Sequence, residues 1–555
     1  MHPSFLLGQA AKFSILFFIS YQKFCYERFF LKKLPPLSII FWLTAACTSE
    51  PEPGFRSLPY LQNPAADAMT IVWFSEDNNP GQLIYKKQNL TTSDTVSSIP
   101  VLAKTLGYST WEKETYFDGK APAPPYQHRV RLMGLEASTK YFYTVLQGEG
   151  AFSAFFKTAP NPDQAVRFIV FSDSETEPES AGKHTPWPDP MTNEARSYLV
   201  DQTTGFANNL EVIRTQQPDF VAIAGDLVES GGEQRDWDEF WRHLTRPENP
   251  PGLASQIPIL AAPGNHEYYG GPEAGGYSQP ASEKAINRFR IYFEFPANGS
   301  PNLQQEGRYF RLDYGPVTLI LLDVVNDSPN GSENDPNFFL SGENDAGGGH
   351  APAFGPGSRQ YAWLENQLQE SQNRSAFTFV ILHHLPYSVG PHGWPAGEGA
   401  GFDAQSGVPV RTLTPLFMRY GVDAVFAGHD EMWERSEVAG IEIKPDGHQR
   451  EHTIHFYDVG IGGDGLRGPE PGLDNPYQKF LAHKDAPEIW QDGVLISGGK
   501  HYGHLEVDVQ QLPNAGWQAI LKPVYVFPKF NKKEKKYDGC ERRVYDDIIT
   551  LTNEK

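Results

Sequence analysis

Phe220-Val-Ala-Ile-Ala-Gly-Asp226 and Ile257-Pro-Ile-Leu-Ala-Ala-Pro-Gly-Asn-His-Glu267 are the stretches from which the fold of this chain is read. Each is an apolar run too short for a helix and uninterrupted by polar residues. That is the signature of a strand buried on both faces. Each ends in a glycine followed by a side chain able to bind a cation. Apolar runs followed at once by metal-competent residues recur to either side: Arg167-Phe-Ile-Val-Phe171 runs into Ser172-Asp173-Ser174-Glu175, Phe377 to Leu382 into His383-His384, and Ala424 to Ala427 into Gly428-His429-Asp430-Glu431. A further strand is predicted from Val317 to Asp323. Between the strands lie helical spacings at Phe206, Leu210 and Ile213, at Trp237, Phe240, Trp241 and Leu244, and at Tyr361, Leu364 and Leu368. Buried strands alternating with helices predict an α/β domain.

Open α/β sheets bind ligands beyond the carboxyl ends of their strands, so residues scattered from 173 to 431 can meet at one edge. A glycine before Asp226, Asn265 and His429 lets the backbone turn tightly there. An isolated Gly-Asp or Gly-Asn is as well explained as a turn or helix cap. Repetition at successive strand ends argues for a shared site instead. A carboxylate, an amide oxygen and two imidazoles (Asp226, Asn265, His383 or His384, and His429) suit Zn, Fe or Mn, with the carboxylate free to bridge to a neighbouring ion.

The segment from Phe55 to Pro160 has a different texture. Short β-branched and aromatic runs, Met69-Thr-Ile-Val-Trp-Phe74 and Tyr141-Phe-Tyr-Thr-Val145 among them, are separated by Asn, Asp, Gly and Pro turns, which predicts an antiparallel β-sandwich. Ala159-Pro-Asn-Pro-Asp163 reads as the linker to the α/β part. No chemistry is visible in the sandwich, so it is expected to be a packing or spacer module.

These motifs resemble the calcineurin-like metallophosphoesterase superfamily. Together with Pro59-Tyr-Leu-Gln62, Thr70-Ile-Val-Trp73, His128 to Leu135 and Tyr141-Phe-Tyr143, they are most similar to purple acid phosphatases, over roughly Phe55 to Val509. The resemblance implies a fibronectin III-like sandwich followed by a two-sheet αββα sandwich. The organisation expected is a signal or anchor segment and tether at 1–54, the β-sandwich at 55–160, the catalytic domain at 161–510 and a C-terminal extension at 511–555. It further implies two metal ions. Asp173 would bind the first, Asp226 would bridge, and Asn265, His383 and His429 would complete the second. His383 matches the family ligand because Tyr387 stands four residues on, and His384 is the alternative.

The first position departs from the family pattern. Glu175 and Glu431 stand where the superfamily has histidines, and Glu229 stands where purple phosphatases have their tyrosine. With Asp173, Glu175, Asp226 and Glu431 as ligands the set is all oxygen and favours a hard ion such as Mn, Mg, Ca or Fe. The implied activity is hydrolysis of phosphomonoesters or phosphodiesters by a metal-activated hydroxide. His266, His392 and His384 are the candidate catalytic histidines, and Glu267 is expected to orient His266 or its loop. Clustered carboxylates cancel much of an ion's field, which makes a monoanionic diester a serious rival to a dianionic monoester as substrate.

The rest of the sequence bounds the setting. The chain has 555 residues, enough for two domains plus appendages, and a formal charge of -21, which argues against a nucleic-acid backbone as partner. Small or polymeric phosphoesters are the substrates expected. Cys25, Cys47 and Cys540 are too few and too scattered for a disulfide framework. Lys32-Lys33, the apolar run Leu37 to Ala46 and Cys47 have the layout of a bacterial lipoprotein signal, so a secreted or envelope location with a lipid anchor at Cys47 is expected; ordinary signal cleavage and an uncleaved anchor are the alternatives. The stretches Ser328 to Gly357, Gly390 to Gly401 and Gly460 to Gly493 are long for connections and are expected to shape the pocket. Lys532-Lys-Glu-Lys-Lys536 reads as a solvated end, with contact to an acidic polymer as the minor alternative. No Gly-x-Ser-x-Gly elbow competes. Besides the phosphoester hydrolase, a weakened metal- or phospholigand-binding relative and a hydrolase of another ester stay open.

Overall fold

The computed structural model describes residues 53–188, 195–248, 250–340, 351–397 and 403–553. The expected signal segment, its Cys47 and Cys25 lie outside them, as do parts of the 328–357 and 390–401 stretches. Among the described residues no helix is long and apolar enough to cross a membrane.

The N-terminal region is a sandwich of two four-stranded sheets. Phe55–Gln62, Ala68–Ser75, Tyr126–Met133 and Val101–Leu102 form one, and Asp94–Ser97, Gln82–Lys87, Lys140–Gln147 and Gly150–Lys157 the other. Every residue of Ala68–Ser75 is buried, which a half-exposed sandwich strand would not require. The pleat supplies the reason. Met69, Ile71 and Trp73 point into the sandwich core, whereas Val72 and Phe74 join Tyr60 in a cluster with Phe240, Trp241 and Tyr292 of the following domain. Tyr60 stacks on Trp241 with ring centroids 4.0 Å apart, and its hydroxyl donates to the Tyr292 carbonyl at 2.7 Å. The spacer module is thus packed firmly against the α/β domain.

That domain holds two seven-stranded sheets. In the first, Ile259–Ala261, Phe220–Ile223 and Val166–Phe171 run parallel, and Gly503–Gln511 and Trp517–Asn531 continue antiparallel. In the second, Val317–Leu321, Phe377–His384, Ala424–Gly428 and Gln449–Val459 run parallel, with antiparallel strands at the margins. Alternate residues face opposite ways. Phe168 and Val170 meet Phe379, Phe426 and Leu505 between the sheets, while Ile169 and Phe171 meet the helices Gln202–Gln216 and Gln234–Leu244 outside. The helices Arg359–Arg374 and Thr414–Arg419 cover the second sheet, completing αββα.

The segment 511–555 is a correction. The sequence reading sets it apart as an extension, yet Trp517–Asn531, Lys536–Val544 and Ile549–Asn553 are strands of the first sheet. Trp517, Ala519 and Leu521 alternate into the inter-sheet core, a period of two that the neighbouring run of lysines obscured. Those lysines form the exposed turn of a hairpin.

Candidate metal centre

The carboxyl ends of both sheets' parallel strands open at one place, and the predicted side chains gather there. Asp173 and Glu175 follow Val166–Phe171, and Asp226 follows Phe220–Ile223. Asn265 and His266 follow Ile259–Ala261, His383 and His384 end Phe377–His384, and His429 and Glu431 follow Ala424–Gly428. Backbone bonds lock the two edges together: Asp173 N donates to Gly225 O at 3.2 Å, Ser174 N to Asp226 O at 3.0 Å, and His429 N to the Asp173 carboxylate at 3.0 Å. The backbone is strained at these positions. Asp173, Glu175, Asp226, His429 and Glu431 all have left-handed φ, between 33° and 82°, although none is glycine. Such conformations are unfavourable by about 1 to 2 kcal/mol each, and they concentrate where side-chain direction matters more than local stability.

The second position is tightly drawn. His383 Nδ1 donates to Ala224 O at 2.9 Å, which leaves Nε2 with its lone pair 2.9 Å from both Asp226 Oδ2 and Asn265 Oδ1. Asp226, His383 and His429 offer donor atoms that all lie within 4.8 Å of one another. His429 Nε2 donates to Gln405 O at 2.6 Å, so Nδ1 is its free nitrogen. Asn265 is held by the Tyr277 hydroxyl at 3.3 Å, and that hydroxyl also meets Gln405 at 2.9 Å.

The first position is a pool of carboxylates. Asp173, Glu175 and Asp226 converge within 4.8 Å, as do Glu175, Glu431 and Asp464. Glu175 and Glu229 also group with His266. Asp464 is absent from the sequence reading, which treated residues 460 to 493 only as a pocket loop. It closes Gly460-Ile-Gly-Gly-Asp464 after the strand Gln449–Val459, the same strand–glycine–acid format used to find Asp226, so the signal was present.

His266 Nδ1 donates to Glu229 O at 2.6 Å, and its Nε2 lies 3.9 Å from both Glu175 and Asp226. Glu267 accepts from Asp226 N, Leu227 N and Gly264 N at 3.0, 2.9 and 2.7 Å, tying together the loops that carry Asp226 and Asn265. His392 stacks on His429 with ring centroids 3.9 Å apart. His384 is fully buried, 4.2 Å from the His429 ring, and neither of its nitrogens has a hydrogen-bond partner.

The electrostatics are those of a site shaped for cations. Burial raises Asp173, with Asp226 adding to it, and burial followed by Asp464 and Glu431 raises Glu175 well above the carboxylate range. Burial also lifts Glu431, which Arg467 partly opposes. Asp226 goes the other way: burial would raise it, but His383 and His266 outweigh burial and hold it low. Burial works against a charged His383, yet Asp226 pushes it up to about 9. Like charges packed this closely, together with orphaned buried imidazole nitrogens, fit bound metal ions, which would replace the protons these groups otherwise share. Close glycines leave the room: a Cβ on Gly264 would stand 2.1 Å from Asp226 Oδ1, and one on Gly428 2.0 Å from Asp173 Oδ2.

Family models match this architecture. Calcineurin-like phosphoesterase covers residues 166–430, and the N-terminal domain of purple acid phosphatase covers 59–159. The chain belongs to the calcineurin-like metallophosphoesterase superfamily. Its sandwich is the purple-acid-phosphatase-type N-terminal domain. Among curated relatives, "Probable purple acid phosphatase 20" of Arabidopsis thaliana is 28% identical over 475 residues, 85% of each chain. "Probable inactive purple acid phosphatase 27" of the same plant is 24% identical over 56% of this chain and 44% of its own. The chain thus spans about half the length of the first relatives it matches, reaching 58% for an uncharacterized Mycobacterium tuberculosis protein. The solved purple acid phosphatase PPD1 from yellow lupin (Lupinus luteus) seeds aligns with a TM-score of 0.56 at 15% identity, covering 88% of this chain and 74% of that one. PhoD aligns at 0.52 and 14%, covering 90% and 91%. These two likenesses concern the fold. Fold and metal-binding cluster together support metal-dependent phosphoesterase chemistry as a class.

Proposed function

We propose that this metallophosphoesterase hydrolyses phosphoric esters with two metal ions, outside the cytoplasm. One observation carries the reading: the Asp226 carboxylate meets His383 and His429 on one side and Asp173 and Glu175 on the other. Asn265, His383, His429 and Asp226 would hold one ion, of the Zn, Fe or Mn kind. Asp173, Glu175, Glu431 and Asp226 would hold a hard ion such as Mn, Mg, Ca or Fe. Bound there, the ions would neutralise phosphoryl oxygens and make water a nucleophile near neutral pH.

The chain's own residues do the remainder. The Glu229 carbonyl fixes His266 in the Nδ1–H tautomer. Burial opposes a charged His266 ring, but Asp226 and Glu229 outweigh it and raise its pKa, so Nε2 can carry a proton to the departing oxygen. The Glu267 carboxylate holds the Asp226 and Asn265 loops in register. His384, shut away from solvent, is assigned as a neutral ring lining the second position rather than as a proton donor; burial and His383 hold its pKa low. Elemental analysis of wild type, Asp226→Ala and Glu431→Ala, with hydrolysis of an aryl phosphate and a bis-aryl phosphate alongside, tests the reading. Two ions and turnover in wild type, both lost in Asp226→Ala, are expected. A wild type that is metal-free, or loaded yet inert, rejects it.

A second reading is a weakened relative that binds metal or a phosphorylated ligand at the cell surface. The carboxylates Glu175 and Glu431 at positions of family imidazoles favour it. One bound ion without turnover is its expected outcome. For location, the Lys32 to Cys47 layout supports an envelope protein, and lipid labelling of wild type but not Cys47→Ala tests the anchor.

A further inference from the structure

Arg467 occupies a place that the metal ligands do not explain. It follows Leu466, a buried residue held at φ 64°, and its backbone N–H donates to Glu431 O at 3.0 Å, so the root of the side chain is fixed. From there the guanidinium reaches across the centre. Nη2 contacts Glu431 Oε1 at 2.5 Å, and Nη1 donates to His392 Nε2 at 3.3 Å, beside the His429 ring. It therefore spans the first position, through Glu431, and the rim of the second, through His392. The side chain remains 43% exposed, so the cation has an open face.

Charge balance gives that face a task. Asp173, Glu175, Glu431 and Asp464 surround the first position with negative charge, and an ion bound there keeps little positive field for an incoming phosphoryl group. Lys183 is the weaker candidate to supply the missing charge: it pairs with Glu177 at 3.4 Å and lies 3.9 Å from Asp464, on the side of the first position, whereas Arg467 also reaches His392 beside the second. Arg467 is better placed, and its planar fork matches two phosphoryl oxygens at once. His392 meets Arg467 through Nε2 at 3.3 Å and lies 3.4 Å from Asp403 through Nδ1, so it helps to orient the guanidinium.

We propose that Arg467 is the phosphoryl-binding cation of this centre, supplying charge that the carboxylate-rich first position withholds. The proposal rests on the phosphoesterase reading. It is tested by titrating inorganic phosphate calorimetrically into metal-loaded wild type, Arg467→Ala and Arg467→Lys, with the metal content of each sample measured. Phosphate affinity should fall on the order of tenfold or more in Arg467→Ala. Arg467→Lys should lie between, because an ammonium keeps the charge but loses the fork. Metal content should not change. Equal phosphate affinity in all three proteins overturns the proposal, and so does an affinity loss that merely follows loss of metal, which would make Arg467 a counter-ion of Glu431. Should Arg467→Ala not fold, the same comparison is read from Arg467→Lys. A wild type binding neither metal nor phosphate rejects the phosphoesterase reading first, and this role with it.

Discussion

Replacing Gly264 by alanine places one methyl group against the bridging carboxylate. The new Cβ would stand 2.1 Å from Asp226 Oδ1, 2.6 Å from Asp226 N and 2.9 Å from Asp226 Cγ. A carbon needs about 3.3 Å from an oxygen it does not bond, so the carboxylate must retreat by roughly 1 Å. Oδ1 also accepts from His266 N at 2.9 Å, and the retreat weakens that bond. Asp226 would then no longer meet the donors of both positions. A misplacement of that size lowers kcat/KM by about a hundredfold, while the overpacking costs about 1 to 3 kcal/mol of stability. Gly134→Ala is the control: it meets nothing within 4 Å and carries only the penalty of φ 71°, so its thermal unfolding shifts while its activity does not. Elemental analysis, steady-state hydrolysis and thermal unfolding on both variants separate site from fold. Wild-type turnover with full metal content in Gly264→Ala would refute the claim that Asp226 must sit within hydrogen-bond reach of His383 and His266 at once.

Asp464→Asn keeps shape and removes charge; if Asp464 belongs to the first position, the weaker-bound ion is lost at lower chelator concentration while the second ion is retained, and identical chelation curves would exclude it. The pH dependence of metal-free stability follows from raised carboxyls. Burial lifts Asp423, Glu434 and Glu267 to about 7 and Asp323 to about 6, so their folded values exceed their unfolded ones. Each then contributes stability that is fully present below about pH 4 and lost as pH rises through 6 to 7. Glu239 and Glu506, held near 2 despite burial by His243 and His504 with their arginines, act oppositely and lose their contribution only in stronger acid. Protein in chelator should therefore melt lower at pH 8 than at pH 5, and added Mn²⁺ should raise the melting temperature more at pH 8. A flat profile in chelator would count against the raised values.

The fold was legible where burial is two-sided. Phe168, Ile169 and Val170 have apolar neighbours on both faces, and such runs cannot be mistaken for surface. The sheet's antiparallel half was not legible, because Trp517, Ala519 and Leu521 alternate with Gln518, Ile520 and Lys522 and lie beside a lysine-rich turn that reads as an end. At the site, residues adjacent to strand ends were found because the strand dictates where the next two or three side chains go. Asp464 was legible in its strand–glycine–acid run but was read only as part of a pocket loop, whereas Arg467 lies farther along that glycine-rich loop, whose path depends on tertiary contacts such as Gly462 N to Ser172 O and Gly463 N to Asp173 O. Sequence periodicity carries no information about such contacts.

The exchange of imidazoles for carboxylates at the first position therefore reaches beyond choice of ion. An imidazole leaves an ion's charge undiminished, while each carboxylate removes one unit. At an effective dielectric of about 20, a unit charge some 4 Å away is worth roughly 4 kcal/mol. Asp173, Glu175, Asp226 and Glu431 together exceed the charge of one divalent ion, so a second anionic oxygen on the substrate meets repulsion where the family pattern would offer attraction. A monoanionic diester would avoid that repulsion, and Arg467, held between Glu431 and His392, would in the proposed role reduce it for either ester. On the proposed reading, substrate charge preference would be set by the balance between the acidic pool and its arginine, a balance whose acidic half follows from Glu175 and Glu431 and whose basic half appears only once the 460–467 loop is folded over them.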